Sequence, residues 1–152
     1  MKWVVYIHHT FLHAPIVLSI ALACVGLTSL RREPEPLTGI IRWGGWATFG
    51  LIGLTAVSGL IVAPGWLGGA GSEGLTHHRS LGLVSWIVVG IATWAYEKGV
   101  RNDSTDWRRF AVGVWCVASL SILGTAHWGA AERHPEVIPW SETPYERPET
   151  RR

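Results

Sequence analysis

The sequence predicts an all-α membrane protein: an antiparallel four-transmembrane-helix bundle with an extended C-terminal tail. Three observations predict it. Four apolar runs, each about 20 residues long, match the length an α-helix needs to cross the hydrocarbon of a bilayer. The chain is 48% hydrophobic and 16% charged, with a mean hydropathy of +0.23, which is too apolar for an ordinary soluble domain. Ten tryptophans in 152 residues suit membrane interfaces, where the ring sits in an apolar layer and the N–H stays wet.

The first run covers 11–30, the second 40–63, the third 78–96 and the fourth 107–128. None holds an Asp or Glu, and arginine occurs only near their ends, at Arg42, Arg79, Arg108 and Arg109. There a long side chain reaches the interface. The first run is a true span rather than a secretory leader. His8, His9, His13 and Pro15 break up the charged-then-apolar layout a leader requires. Between spans, Glu33-Pro34-Glu35-Pro36 stops the first helix. A glycine-rich loop at 64–74 joins the second to the third, and a short polar loop at 98–105 precedes the fourth.

Residues 1–131 form the transmembrane domain, and 132–152 form a polar, proline-rich extracytoplasmic tail. Such a tail has too little apolar surface to fold alone. It is expected to lie as an extended arm on a partner subunit. Loops one and three hold Arg31, Arg32, Arg42, Lys98, Arg101, Arg108 and Arg109; near the membrane the other side holds Lys2, Arg79 and Arg133. The positive-inside rule therefore places both termini outside the cytoplasm, in a bacterial inner membrane. The net charge of +2 and the scattered basic residues exclude nucleic-acid binding. Cys24 and Cys116 form no CxxC or CxxCH, so covalent haem attachment is excluded and free thiols are expected.

The chemistry lies in the histidines. His8, His9 and His13 open the first helix, His77 and His78 open the third, His127 closes the fourth and His134 follows it. All seven fall on one side of the bilayer. His13, His78 and His127 should share one depth on three helices. Neutral imidazole ligates haem iron, copper and zinc, and cofactor sites in bundles are built from facing helices. The first and third helices are diagonal in such a bundle, so His13 and His78 form the leading pair for a haem. Arg79 is placed to pair with a propionate, and His127, His8 and His134 to serve as the third histidine or in support. The second helix is rich in glycine (Gly44, Gly45, Gly50, Gly53, Gly59). That pattern admits either close helix packing or a bulky group. Trp86, Trp94 and Trp115 are expected to face lipid or a partner helix rather than wall a cofactor. There is no phosphate loop, no HExxH and no local Ser/His signature.

His8-His9-Thr10-Phe11-Leu12-His13-Ala14-Pro15-Ile16 resembles the H-P-x-x-V-H-F-P-I opening of a bacterial four-span family, domain of unknown function 2231. His78-Arg79, and His127-Trp128-Gly129 with His134 seven residues on, look similar to its later motifs. His9, Ala14 and Ala130 stand where the family has Pro, Phe and a second Gly. The resemblance implies haem and electron transfer, with a c-type cytochrome as partner.

The expected function is a b-type cytochrome-like subunit, holding one haem b near the extracytoplasmic face within a larger electron-transfer complex. A cofactor-free structural subunit of a respiratory or photosynthetic membrane complex is the alternative, and a copper or zinc protein a second one. Geometry separates them. Rings of His13, His78 and His127 turned outward, or bonded only to backbone carbonyls, favour the subunit without a cofactor.

Overall fold

In the computed structural model the backbone is described for residues 2–31, 35–62 and 73–133, and side chains for 11–31, 37–61 and 76–130. Four helices result: α1 (Lys2–Ser29), α2 (Glu35–Val62), α3 (Glu73–Arg101) and α4 (Thr105–Arg133). Each contains a segment long and apolar enough to cross a membrane: Phe11–Ser29, Leu37–Ile61, Thr76–Arg101 and Thr105–Ala130. The chain is a four-helix membrane protein. The interhelix loop between α2 and α3 and the tail from position 134 lie outside the described residues.

The helices are longer than the apolar runs because their polar ends remain helical. Pro15 lies inside α1, where its missing N–H removes one backbone bond. The α3–α4 turn shows why the chain reverses there. Asp103 takes a left-handed φ of 47°, and the Ser104 and Asp103 amides return to the carbonyls of Gly99 and Val100 at 2.8 and 3.3 Å. That pair of bonds terminates α3. Ser104 Oγ then accepts from the Trp107 amide at 3.4 Å and caps α4. Gly99 is needed here, since a Cβ would lie 2.9 Å from the Arg108 nitrogen.

Neighbours around the bundle are α1–α2, α2–α3, α3–α4 and α4–α1, and α1 and α3 are diagonal, with no close approach among the described residues. Side-chain pairs fix the registers. Ser119 Oγ donates to the Ser19 carbonyl at 3.0 Å, and Gly26 sits against Val112, so α1 and α4 run antiparallel. Gly82 faces Thr125 and Gly99 faces Arg108, so α3 and α4 do the same.

The fully buried apolar side chains gather in the middle of the bundle and toward the α3–α4 turn: Ile41, Val89, Ala92, Ala95, Tyr96, Ala111, Val112, Trp115 and Ala118. Trp115, expected to face lipid or a partner helix, is instead 1% exposed. Gly45 on α2 leaves the room: a Cβ there would stand 3.3 Å from Trp115 Cζ2 and 3.0 Å from Thr93 Oγ1. Gly53 likewise faces the Trp86 ring at 3.2 Å. That ring stacks on Phe49 at 5.3 Å, and its N–H donates to the Phe49 carbonyl at 3.1 Å. A polar N–H inside a bilayer needs such an acceptor. At 45 and 53 the glycines of α2 therefore accommodate indole rings.

The outward faces are apolar. Val17, Trp43, Val57, Ile87, Trp94, Val117 and Leu120 are all more than half exposed. Their distribution over all four helices is what contact with lipid requires, and it is far beyond the isolated patches of a soluble surface.

Candidate functional site

The histidines are placed by those registers. The Ser19–Ser119 and Gly26–Val112 pairs put His13 level with Thr125. The α3–α4 register puts His78 level with Gly129, against which its ring packs. His127 falls between. At a rise of 1.5 Å per residue the three therefore span about 6 Å of depth. One layer was expected, and the helix registers bring His13, His78 and His127 to it.

They do not share a direction. His13 and His127 are on exposed faces. His127 meets Trp128 edge-on at 6.2 Å. His77, from α3, stacks on that same Trp128 at 5.2 Å. His78 alone of the three turns into the bundle. It stands on the stripe of α3 that carries Ser85, Val89, Ala92 and Tyr96, all buried. The pair His13 and His78 is thus level but not facing. Among the described residues no group of three or more His, Cys, Asp or Glu side chains converges on one point.

The His78 ring is held firmly. Its Nδ1 lies 2.8 Å from the Thr125 carbonyl oxygen. A carbonyl only accepts, so in the neutral ring the proton is on Nδ1 and Nε2 carries a bare lone pair. Gly129 completes the seat, because a Cβ there would come within 2.9 Å of both Cε1 and Nδ1. Beneath the ring, Ser85 Oγ lies 2.8 Å from Ser121 Oγ and 3.3 Å from Thr125 Oγ1. Ser85 also donates to the Leu81 carbonyl at 2.7 Å and Thr125 to the Ser121 carbonyl at 3.0 Å. This hydroxyl cluster ties α3 to α4 one to two turns below His78 and fixes the carbonyl that orients the ring.

No family model, no curated protein and no solved structure matches the chain. Arg79 is half-buried beside His78. The side chains of His8 and His9, and the whole of His134, lie outside the described residues. Cys24 is exposed, Cys116 is half-buried, and both thiols are free.

A second polar constellation occupies the opposite end. Glu97 is 9% exposed and receives both arms of Arg42: Nε at 2.7 Å to Oε2 and an Nη at 2.7 Å to Oε1. Arg101 Nε adds a third bond at 2.9 Å. Sequence reasoning missed this pairing. The apolar run ends at Tyr96, one residue before Glu97, and Arg42 was expected to reach solvent. The signal was there: an arginine inside the second run and a carboxylate at the end of the third stand at the same depth in an antiparallel pair.

Proposed function

We propose that this protein is a membrane-embedded, b-type cytochrome-like subunit that holds one haem at its histidine-bearing end. The observation that supports it best is the state of His78. A histidine that ligates a metal almost always donates its other ring N–H to a carbonyl or carboxylate, and the His78–Thr125 bond has that form. Nε2 would be the iron-binding atom. The second ligand comes from α1 in this reading. Because His13 is on an exposed face, His8 is taken as that ligand. Helical spacing puts it level with position 130 of α4, beside the level of His78 and diagonally across. His13 lies on the other side of α1 and is a supporting residue here. Held by these residues, haem would supply a one-electron couple, which suits electron transfer.

The proposal extends to setting. The excess of Lys and Arg at the α1–α2 and α3–α4 loops supports a histidine end on the extracytoplasmic side of a bacterial inner membrane. The tail, 132–152, would dock the subunit onto a partner such as a c-type cytochrome. The test is a reduced-minus-oxidised visible spectrum of protein purified from membranes. Wild type should show b-type bands, His78→Ala and His8→Ala should abolish them, and His13→Ala should retain them. Loss in His13→Ala with retention in His8→Ala would return the site to the pair His13 and His78.

A cofactor-free structural subunit is the second reading, and the described rings favour it in one respect. His13 and His127 are turned outward and His78 bonds a carbonyl, the arrangement expected of a bundle whose histidines only anchor helix ends. A colourless wild-type protein would establish that reading over the first.

A further inference from the structure

At the α3–α4 turn, far from the histidines, a shallow groove of about 410 Å³ opens between the two helices, lined by Ile91, Trp94, Asp106, Trp107 and Phe110. Its α3 wall is a single helical stripe. Ile91, Trp94, Lys98 and Arg101 recur at spacings of three and four residues, so one face passes from apolar to basic toward the turn. Lys98 Nζ stands over both indoles, 4.0 Å from the Trp107 ring centre and 5.0 Å from that of Trp94. The cation is held at the groove by the two ring faces.

Most charges around the turn are engaged by one another. Glu97 takes Arg42 and Arg101, and Arg108 takes Asp103. Among the described residues there, Lys98, Asp106 and Arg109 are outside those pairs; Asp106 lines the groove and Lys98 stands over its two indoles. Apolar walls at one end, two tryptophans in the middle and one charge of each sign at the other form a chemical sequence. It matches a phospholipid whose headgroup is a zwitterion. Ile91 to Lys98 is seven residues, about 10 Å along the helix, enough for the upper part of an acyl chain below a headgroup.

We propose that this groove is a binding site for phosphatidylethanolamine. Lys98 receives the phosphate, Asp106 accepts N–H bonds from the headgroup ammonium, and an acyl chain lies along Ile91 and Phe110. Phosphatidylglycerol offers Lys98 the same phosphate but brings no cation to Asp106, whose charge then stays unpaired. Phosphatidylcholine offers Asp106 no N–H donor. The site rests on the membrane reading alone and is independent of any cofactor at the other end.

The experiment is native mass spectrometry of the full-length protein in mild detergent, with equal amounts of phosphatidylethanolamine, phosphatidylglycerol and phosphatidylcholine added. Wild type should retain phosphatidylethanolamine about two- to fivefold over the others, the range one exposed charge pair provides. Asp106→Asn should remove that preference while leaving phosphatidylglycerol retention equal or higher. Lys98→Ala should lower retention of all three. Helical circular dichroism of each variant checks that the bundle is intact. Equal retention of the three lipids by wild type overturns the proposal, as does a preference for phosphatidylglycerol, or a phosphatidylethanolamine preference unaffected by Asp106→Asn in a folded protein.

Discussion

Arg42 and Glu97 face each other across α2 and α3 with both guanidinium arms on both carboxylate oxygens, at 2.7 Å each. The geometry is the two-pronged match that guanidinium makes with carboxylate and that lysine does not. It lies beside Tyr96 and Ile41, both almost fully buried, so it closes the core at the α3–α4 turn end. Removing Arg42 takes two of the three hydrogen bonds from Glu97, which is 9% exposed, and leaves it with Arg101 alone. Arg42→Met is expected to lower the melting temperature of the purified protein. The double variant Arg42→Met/Glu97→Gln should lower it less than the two single changes added together. Thermal scans of the four proteins of this double-mutant cycle check it; simple additivity would mean the pair carries no coupling.

Helix α2 offers a sharper contrast. A methyl at position 45 would meet Thr93 at 3.0 Å and Trp115 at 3.3 Å, while one at position 50 meets nothing within 4 Å. Gly45→Leu should overpack the Trp115 site and destabilise by about 1–3 kcal/mol. Gly50→Ala should be neutral or stabilise by about 0.5–1 kcal/mol, the helix-propensity gain over glycine. Unfolding of both variants in one detergent gives the comparison. A Gly50→Ala protein as weakened as Gly45→Leu would contradict the packing described.

The seat of His78 is open to the same test. Gly129→Ala places a methyl 2.9 Å from the imidazole and must turn the ring off the Thr125 carbonyl. The nearby Gly124 has nothing within 4 Å of its missing Cβ. On the haem reading, Gly129→Ala should purify with a small fraction of the wild-type haem and Gly124→Ala with the full amount, as measured by pyridine haemochrome content per protein. Equal loading of the two variants would show that the ring orientation is irrelevant to binding.

Membrane orientation is tested through the α3–α4 turn. Asn102 is exposed there. In a background without Cys24 and Cys116, Asn102→Cys should react with a membrane-impermeant maleimide only after the membrane is opened. A cysteine placed in the tail should react in intact spheroplasts. The reverse pattern would put the histidine end in the cytoplasm.

The four spans were legible because lipid-facing and buried positions are both apolar, which leaves long uninterrupted runs. Helix ends were less so: polar turns at Thr105 and Arg101 extend the helices without adding to the runs. The depth of the histidine layer could be read from spacing, since rise per residue is fixed. Direction could not. Whether His13 turns inward depends on which face of α1 packs, and Pro15, Ser19 and Leu22 decide that together. Trp115 shows the same limit from the other side. Its indole was expected to face lipid or a partner helix, and it is Gly45, on a different helix, that leaves it a place in the core.

The most direct test of the central claim is the reduced-minus-oxidised spectrum of the purified wild-type protein beside His78→Ala. The account predicts a b-type difference spectrum in the first and none in the second, with both proteins equally helical. A wild-type protein without Soret absorbance, or a His78→Ala protein that keeps the wild-type spectrum, would contradict it.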